Sequence, residues 1–379
     1  MNKQQKRMVV RQLLIPVLII VAALFYRPVK DFLDQGSALG TMSTDGSELV
    51  VSYIDVGQGD STLITCDGHA MLIDAGDYSK GTAIQNYLQK QKVTKLDYLI
   101  LTHPDSDHIG GAPVIITKFE IDKVFVSNYE KDNKTYLKLI QALDNKRLKY
   151  TTPKVGTQYT LGTAKITILA PNGEYDNPND ASVALMIQNG ENKFLFTGDA
   201  GEDAERDMLE TDIGLSADVL KAGHHGSRTS TSGKFFEAVS PSCAVISCGE
   251  DNSYGHPHAE TLNTFRMNGV KVYRTDEDGT IVAVSDGKKV TFNVPASETW
   301  KAGEPNGNGS VWEAPSVKES QQETAKAEAS GTTYVLNTKT KKFHKTSCNS
   351  LPTANRKDST ESRESIVAQG YQPCKRCNP

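Results

Sequence analysis

The decapeptide THPDSDHIGG, Thr102–Gly111, sets four potential metal ligands, His103, Asp105, Asp107 and His108, within six residues. It follows directly on the apolar run LDYLILT, so the cluster is expected where a strand ends. Residues 103 and 105 can face one way while 107 and 108 face another, and one loop can then serve two neighbouring cations. Ligand-type residues also close later apolar runs: Asp199 ends KFLFTGD, and His224 and His225 end DVLKAGHH. A carboxylate between two cations can bridge them, and an imidazole completes the second position. The chemistry in view is hydrolysis. A divalent cation lowers the pKa of the water it holds from about 15.7 to roughly 7–9, and a pair of cations neutralises the oxygens of a phosphodiester or a carbonyl.

Other residues gather around these. Lys221, Ser227 and Arg228 flank the histidine pair and are expected to hold an anionic substrate. His256, in YGHPH, is expected to line the site as a catalytic group, with His258 a weaker candidate. In the turn IDVGQGDST, Asp55, Gln58, Gly59 and Asp60 lie together; the glycines allow close backbone approach, and Asp60 is expected to orient ligands from behind. Cys243 and Cys248 fall on opposite faces of one strand and cannot pair there, so with Cys66 they are expected to be buried thiols.

The elements that must position these groups are legible as short apolar runs ended by Gly or Asp. LVVSYIDVG, TLITCDG and AMLIDAG read as strands joined by tight turns. LDYLILT, KVFVSN, KITILA, VALMIQN, KFLFTGD, DVLKAG, CAVISCG, KVYRT and IVAVS continue the series. Helical spacing appears over Thr82–Gln91, Lys134–Leu143, Glu202–Thr211 and His258–Met267. Hairpin-like strands followed by strands alternating with helices imply an α/β body with helices packed outside, and residues 48–296 suffice for one large two-sheet core.

Composition bounds the rest. The 379 residues, 37% hydrophobic and 23% charged, exclude a collagen-like, coiled-coil or wholly disordered chain. A net charge of −4 conceals a body near −10 and a basic tail, 334–379, near +6. Lys3, Lys6, Arg7 and Arg11 precede an apolar run from Leu13 to Tyr26. Residues 1–30 therefore read as a cytoplasmic N-terminus and signal-anchor, putting the remainder outside a cell membrane that the chain crosses once. A secreted protein with a cleaved signal peptide is the alternative. Residues 31–47 read as a spacer, 297–331 as a disordered linker, and 332–379 as a small separate unit. No nucleotide cofactor is expected.

That last unit is too short for a robust core without a staple. His344-x3-Cys348 and Cys374-x2-Cys377 supply one imidazole and three sulfurs, a closed set for one structural zinc. Lys341, Lys342, Lys345, Arg356, Arg363, Lys375 and Arg376 could meet DNA phosphates; a solubilising or wall-adhering basic surface is the alternative.

The stretches SYIDVGQGDSTLI, LILTHPDSDHIGG, NDASVALMI, FLFTGD, DVLKAGHHGS, AVISCGEDNSYGHPH and YRTDEDGTI together resemble the metallo-β-lactamase superfamily. Within it they are most similar to the hydrolase domain at the C-terminus of ComEC-type DNA-uptake proteins. The resemblance implies an αββα sandwich with a dinuclear site at one edge. It implies His103, Asp105 and a bridging Asp199 around the first metal. Asp107, His108, Asp199 and one histidine of the His224–His225 pair would hold the second, the other histidine contacting the scissile group or donating a proton. The wider family has His where Asp105 stands and a further His before the bridging Asp. This chain has no histidine between 109 and 223, and Asn179 and Asp180 are the polar pair that could substitute, a turn before the strand being their other reading. An oxygen-rich first site admits Mn²⁺ beside Zn²⁺. The tail segments YVLNTKTKKFHKTSC and GYQPCKRCNP resemble the Ada-type metal-binding domain, with His344 in place of its first Cys, and relatives of that domain bind DNA.

The sequence thus reads as a membrane-anchored, outward-facing hydrolase with two divalent ions. The expected activity is that of a phosphodiesterase or nuclease on DNA in competence, with the zinc tail as a DNA-holding module. The alternatives are a phosphodiesterase on a cell-surface polymer or small molecule, and a DNA-capture protein without turnover. β-Lactam hydrolysis is not expected, because the imidazole-rich first site is missing.

Overall fold

A computed structural model describes residues 48–303 and, in the C-terminal stretch, 334–346, 348, 351–352, 354–359, 366 and 369–374. The expected anchor and spacer, 1–47, lie outside the described residues. Among the described residues no helix is long and apolar enough to cross a membrane. The chain divides into two compact units that part within 304–333.

The first unit is built on two sheets. In chain order, β1 (Leu49–Tyr53), β2 (Thr62–Cys66), β3 (His69–Ile73), β4 (Lys95–Leu101), β5 (Glu120–Val126) and β6 (Tyr150–Thr151) enter one of them. β7 (Gln158–Leu161), β8 (Ala164–Ala170), β9 (Ala184–Asn189), β10 (Asn192–Phe196), β11 (Val219–Lys221), β12 (Cys243–Ile246) and β13 (Lys271–Arg274) make the second. β14 (Ile281–Ser285) and β15 (Val290–Phe292) return to the first, giving the orders β15-β14-β1-β2-β3-β4-β5-β6 and β13-β12-β11-β10-β9-β8-β7.

Period-two alternation decides what lies between the sheets. Val51 and Tyr53, Met71 and Ile73, and Ile100 from the first sheet meet Ile166, Ile187, Phe194 and Phe196 from the second. Intervening residues such as Leu72, Leu99, Leu195 and Leu220 lie in separate apolar clusters, so both faces of each sheet need cover. Leu72 and Leu99 pack under Ile84, Leu88, Ile115 and Leu143 of the helices Gly81–Lys90, Ala112–Lys118 and Lys134–Lys146. Leu195 and Leu220 pack under Met208, Phe235 and Phe265 of Glu202–Leu209, Gly233–Val239 and Ala259–Met267. Each such buried side chain contributes roughly 1.5–3 kcal/mol of transfer free energy. The result is the four-layer α/β sandwich expected.

Strand direction then sets where chemistry can occur. β1, β3, β4 and β5 run one way in the first sheet, as do β10 to β13 in the second. Their C-terminal ends carry Asp60, the His103–His108 cluster, Asp199 and the His224–His225 pair.

Four helices among the described residues, Ser106–Ile109, Ala112–Lys118, Gly233–Val239 and Thr275–Asp278, have no counterpart in the sequence reading. Ala112–Lys118 contains Val114, Ile115, Ile116 and Thr117, a β-branched run that reads as strand; a proline in its first turn and the burial of Ala112, Ile115 and Ile116 on one face make it a helix. Residues 297–303, assigned by composition to the linker, belong to the body. Ser297 N donates to Val272 O, Gly303 N donates to Pro257 O, and Trp300 packs against the outer helices.

The second unit is a four-stranded sheet. Its order is β18-β16-β17-β19, from β16 (Tyr334–Asn337), β17 (Lys342–Lys345), β18 (Arg356–Ser359) and β19 (Gln372–Pro373). Its core is small: Leu336, Phe343, Ile366 and Tyr371, with Tyr334 beside them.

Candidate metal centre

Strand ends deliver the donors. β4 runs into Thr102–Asp105, and the single turn Ser106–Ile109 then carries Asp107 and His108. β10 ends at Phe196, three residues before Asp199; Gly198 has φ 57°, and a Cβ there would lie 2.9 Å from Ser182 Oγ, so only glycine brings Asp199 into place. After β11 comes the turn Gly223–Gly226, in which His224 (φ 48°) and His225 (φ 56°) are both left-handed. That conformation costs a non-glycine residue roughly 1–2 kcal/mol, and two in succession mark a backbone held for the sake of its side chains.

The side chains converge on Asp199. His108 Nε2 lies 3.3 Å from Asp199 Oδ1 and 3.3 Å from His225 Nε2. His225 Nε2 is 3.4 Å from Asp107 Oδ2 and 3.6 Å from Asp199 Oδ2. His103 Nε2 and His224 Nε2 stand 3.8 and 3.6 Å from the same Asp199 oxygen. Charge-assisted hydrogen bonds are shorter, about 2.7–2.9 Å. Donors each held about 2.0–2.2 Å from a tetrahedral ion are roughly 3.3–3.6 Å apart. His103 Nε2 is also buried without a hydrogen-bond partner. Buried imidazole nitrogens and carboxylate oxygens at ligand spacing fit divalent cations.

Behind them stands a second layer of contacts. Asp74, wholly buried at the end of β3, places Oδ2 2.8 Å from His108 Nδ1 and accepts from Thr102 N and Oγ1 at 2.8 and 2.7 Å. His225 Nδ1 faces Ser247 O at 3.0 Å and Asp60 Oδ1 at 3.2 Å. Each ring is thereby fixed with Nε2 toward Asp199. Asp60, His108, Asp199 and His225 have ligating atoms all within 4.8 Å of one another. Asp60, however, meets the far nitrogen of His225 and pairs with Lys221 Nζ at 2.9 Å, which makes it the orienting carboxylate expected from the sequence. Gly59 permits this: Asp60 N donates to Asp107 O at 3.1 Å, and a Cβ on Gly59 would lie 2.4 Å from that oxygen.

Burial opposes every charge here, and the neighbours decide the outcome. Against desolvation, Asp199 and Asp60 raise His225 to about 10, and Asp199 and Asp74 hold His108 well above the usual range. Asp199 is held well below the carboxylate range by His108, His225 and His224, and Asp107 falls to about 2 through His225 and His108. Burial pushes Asp74 up despite His108. A dication bound here would displace any proton from the ligating Nε2 atoms of His108 and His225. His103 is lowered to about 4 by burial and by His108, leaving it in the neutral, ligating form at pH 7.

The remaining residues singled out from the sequence are placed unevenly. Asp105 Oδ1 pairs with Lys131 Nζ at 2.5 Å. Asp180 Oδ1 accepts from Gly201 N at 2.9 Å at the start of helix Glu202–Leu209, and the Asn179 backbone carbonyl accepts from Ser182 N. Lys221 is corrected: it is buried against Asp60 and is not placed to hold a substrate anion. Ser227 is buried with Oγ 3.0 Å from Thr229 Oγ1, and exposed Arg228 sets Nε 3.4 Å from Glu260. His256 lies beside the pair, its ring 5.3 Å from His224 and 6.0 Å from His225, and is lowered to about 3 by burial and by those histidines. His258 Nδ1 accepts from Arg228 N. Cys66 and Cys248 are buried as expected; Cys243 is half-buried. Sequence reasoning missed Asp74, although it ends AMLIDAG with the same strand-end signature as Asp199.

In the second unit, His344, Cys348 and Cys374 are buried with ligating atoms within 4.8 Å of one another, and His344 Nδ1 has no hydrogen-bond partner. Cys377 lies outside the described residues, as do Arg363, Lys375 and Arg376.

Comparison with known proteins follows the same lines. The family model described as the Metallo-beta-lactamase superfamily matches residues 54–250. The chain is 30% identical over 267 residues to ComE operon protein 3 of Bacillus subtilis (strain 168), covering 65% of this chain and 34% of that protein. It is 32% identical over 237 residues to Competence protein ComA of Neisseria gonorrhoeae, covering 62% and 32%. The chain therefore spans about a third of the length of these relatives. Among solved structures, the metallo-beta-lactamase fold protein YhfI from Bacillus subtilis aligns over 63% of this chain and 100% of its own, at 14% identity and a TM-score of 0.45.

Proposed function

The chain belongs to the metallo-β-lactamase superfamily, and on that premise we propose that it is a binuclear metal-dependent phosphodiesterase acting on DNA during DNA uptake. The observation that carries this reading is the convergence of four imidazoles on one buried carboxylate, Asp199, with Asp107 beside His225. The names of the relatives, ComE operon protein 3 and Competence protein ComA, supply the DNA-uptake context. His103, Asp105 and Asp199 would hold the first cation; Asp107, His108, Asp199 and His225 would hold the second. His225 takes that place rather than His224 because its Nδ1 is already engaged by Ser247 and Asp60 while its Nε2 faces both carboxylates. When bound, the cations supply a nucleophile at neutral pH and offset charge on the phosphodiester.

The chain's own groups do the rest. Asp74 and Asp60 fix the two ligand rings, so that little reorganisation accompanies binding. His224, whose side chain is 25% exposed and whose Nδ1 faces Thr229 Oγ1, is the imidazole open to the scissile group and able to give a proton to the leaving oxygen. His256 stands beside it, the two rings 5.3 Å apart. Residues 1–30 anchor the body to the membrane, and His344, Cys348, Cys374 and Cys377 bind one structural zinc in a tail whose basic surface holds DNA.

A chromogenic phosphodiester tests the reaction class. The purified full chain, stripped of metal, is expected to be inert and to regain turnover with Mn²⁺ at least as well as with Zn²⁺, because Asp105 makes the first site richer in oxygen. Turnover with Zn²⁺ alone contradicts that site assignment. Absence of turnover with either ion at full occupancy favours capture without cleavage.

A further inference from the structure

Lys131 lies between β5 and the helix Lys134–Lys146, and its Nζ is 2.5 Å from Asp105 Oδ1. Asp105 is a donor assigned above to the first cation. A cation tethered to the chain therefore already neutralises a carboxylate that the divalent ion requires. The setting of this pair differs from that of Lys221 and Asp60. Lys131 and Asp105 are 35% and 33% exposed, whereas Lys221 and Asp60 are 2% and 7% exposed. An exposed ion pair is weak and exchanges readily, while a buried one strands a charge when it breaks. Lys221 is locked further by donating to Ala222 O. Lys131 is free to change partners.

Its backbone is not free to wander. Ser127 Oγ donates to Ala181 O and accepts from Tyr129 N, fixing one end of the segment. Asn133 caps the following helix by accepting from Tyr136 N, fixing the other. The ammonium is thus held at the rim of the centre with only its side chain left to move. An ammonium is a compact charge with three donors, suited to a phosphate oxygen.

We propose that Lys131 binds the substrate phosphate at the first metal position, reaching it by a handover in which Asp105 turns from Lys131 to the cation. This rests on the phosphodiesterase reading above and supplies the anion contact that Lys221, buried against Asp60, does not make. Before cation binding, Lys131 balances Asp105. Afterwards a dication balances Asp105, and the released ammonium faces the oxygens of the incoming phosphodiester. No bond is made or broken in the exchange.

One substitution then has two opposed effects. In Lys131→Met the competitor for Asp105 is gone, so Mn²⁺ should bind the first position more tightly, by roughly 3- to 10-fold. Inorganic phosphate should bind the Mn²⁺-loaded protein roughly 10-fold or more weakly, and KM for a small phosphodiester should rise more than kcat falls. Lys131→Arg should keep most of the phosphate affinity. Calorimetric titration of the full chain with Mn²⁺, then with phosphate, reads both effects without reference to turnover. Unchanged phosphate affinity in Lys131→Met overturns the proposal, as does weakening of both Mn²⁺ and phosphate. A wild-type chain that takes up no Mn²⁺ overturns the functional reading and this inference with it. Normal uptake with unaltered phosphate binding in the variant overturns this inference alone.

Discussion

Asp199→Asn is expected to abolish turnover and to cost the protein one or both cations while the sandwich stays folded. Among the described residues Asp199 is the one carboxylate paired with His103, His108, His224 and His225 together, so no described neighbour can substitute for it. The amide keeps the shape but removes the negative charge and one of two acceptor oxygens. Loss of an orienting partner typically costs 10- to 100-fold in metal affinity or activity. Loss of a shared ligand should exceed that, and turnover should fall by at least about a thousandfold. The cost to folding is smaller than the usual roughly 3–5 kcal/mol for breaking a buried pair, because an imidazole, unlike an arginine, can shed its proton. Metal analysis, circular dichroism and turnover on a small phosphodiester check the three parts together. Near-normal turnover with full metal occupancy would remove the binuclear assignment.

Cys374→Ser should unfold the second unit and leave the first intact. The hydrophobic cluster of this unit among the described residues is Leu336, Phe343, Ile366 and Tyr371, too little for stability without a staple. Structural zinc supplies roughly 10–16 kcal/mol of apparent binding free energy, and in so small a unit that is folding energy. Hydrolysis of a small phosphodiester should not change, whereas long DNA should bind more weakly. Wild-type affinity for DNA should fall as salt rises, since a basic surface binds phosphates through counterion release. Equal DNA affinity for wild type and variant leaves the zinc staple standing but removes the DNA-holding role.

Much of this site is readable from local sequence because strand ends announce themselves. THPDSDHIGG, FLFTGD and KAGHHGS each place ligand-type residues just past an apolar run, and the fold gathers those ends at one edge. What stays hidden depends on partners distant in sequence. Lys221 looks like an exposed anion-binding residue until the loop carrying Asp60 folds against it from 161 residues away. Asp180 reads in the sequence as a candidate ligand, and only the fold shows its Oδ1 accepting from Gly201 N before helix Glu202–Leu209. The choice between His224 and His225 rests on two left-handed residues that no periodicity encodes, and on Ser247 and Asp60 behind one ring only. Asp74 was legible in principle, since it ends a strand beside LDYLILT, but its tie to His108 is a tertiary fact.

The central claim is that cations gathered on Asp199 cleave DNA. It is tested most directly by counting bound cations in the purified full chain and following the length of linear DNA in the same samples. Metal-free protein should leave the DNA intact. Mn²⁺ taken up to two ions beyond the tail zinc should shorten it, and Asp199→Asn protein carried through the same procedure should not. DNA left at full length by wild-type protein that holds both ions would contradict the account.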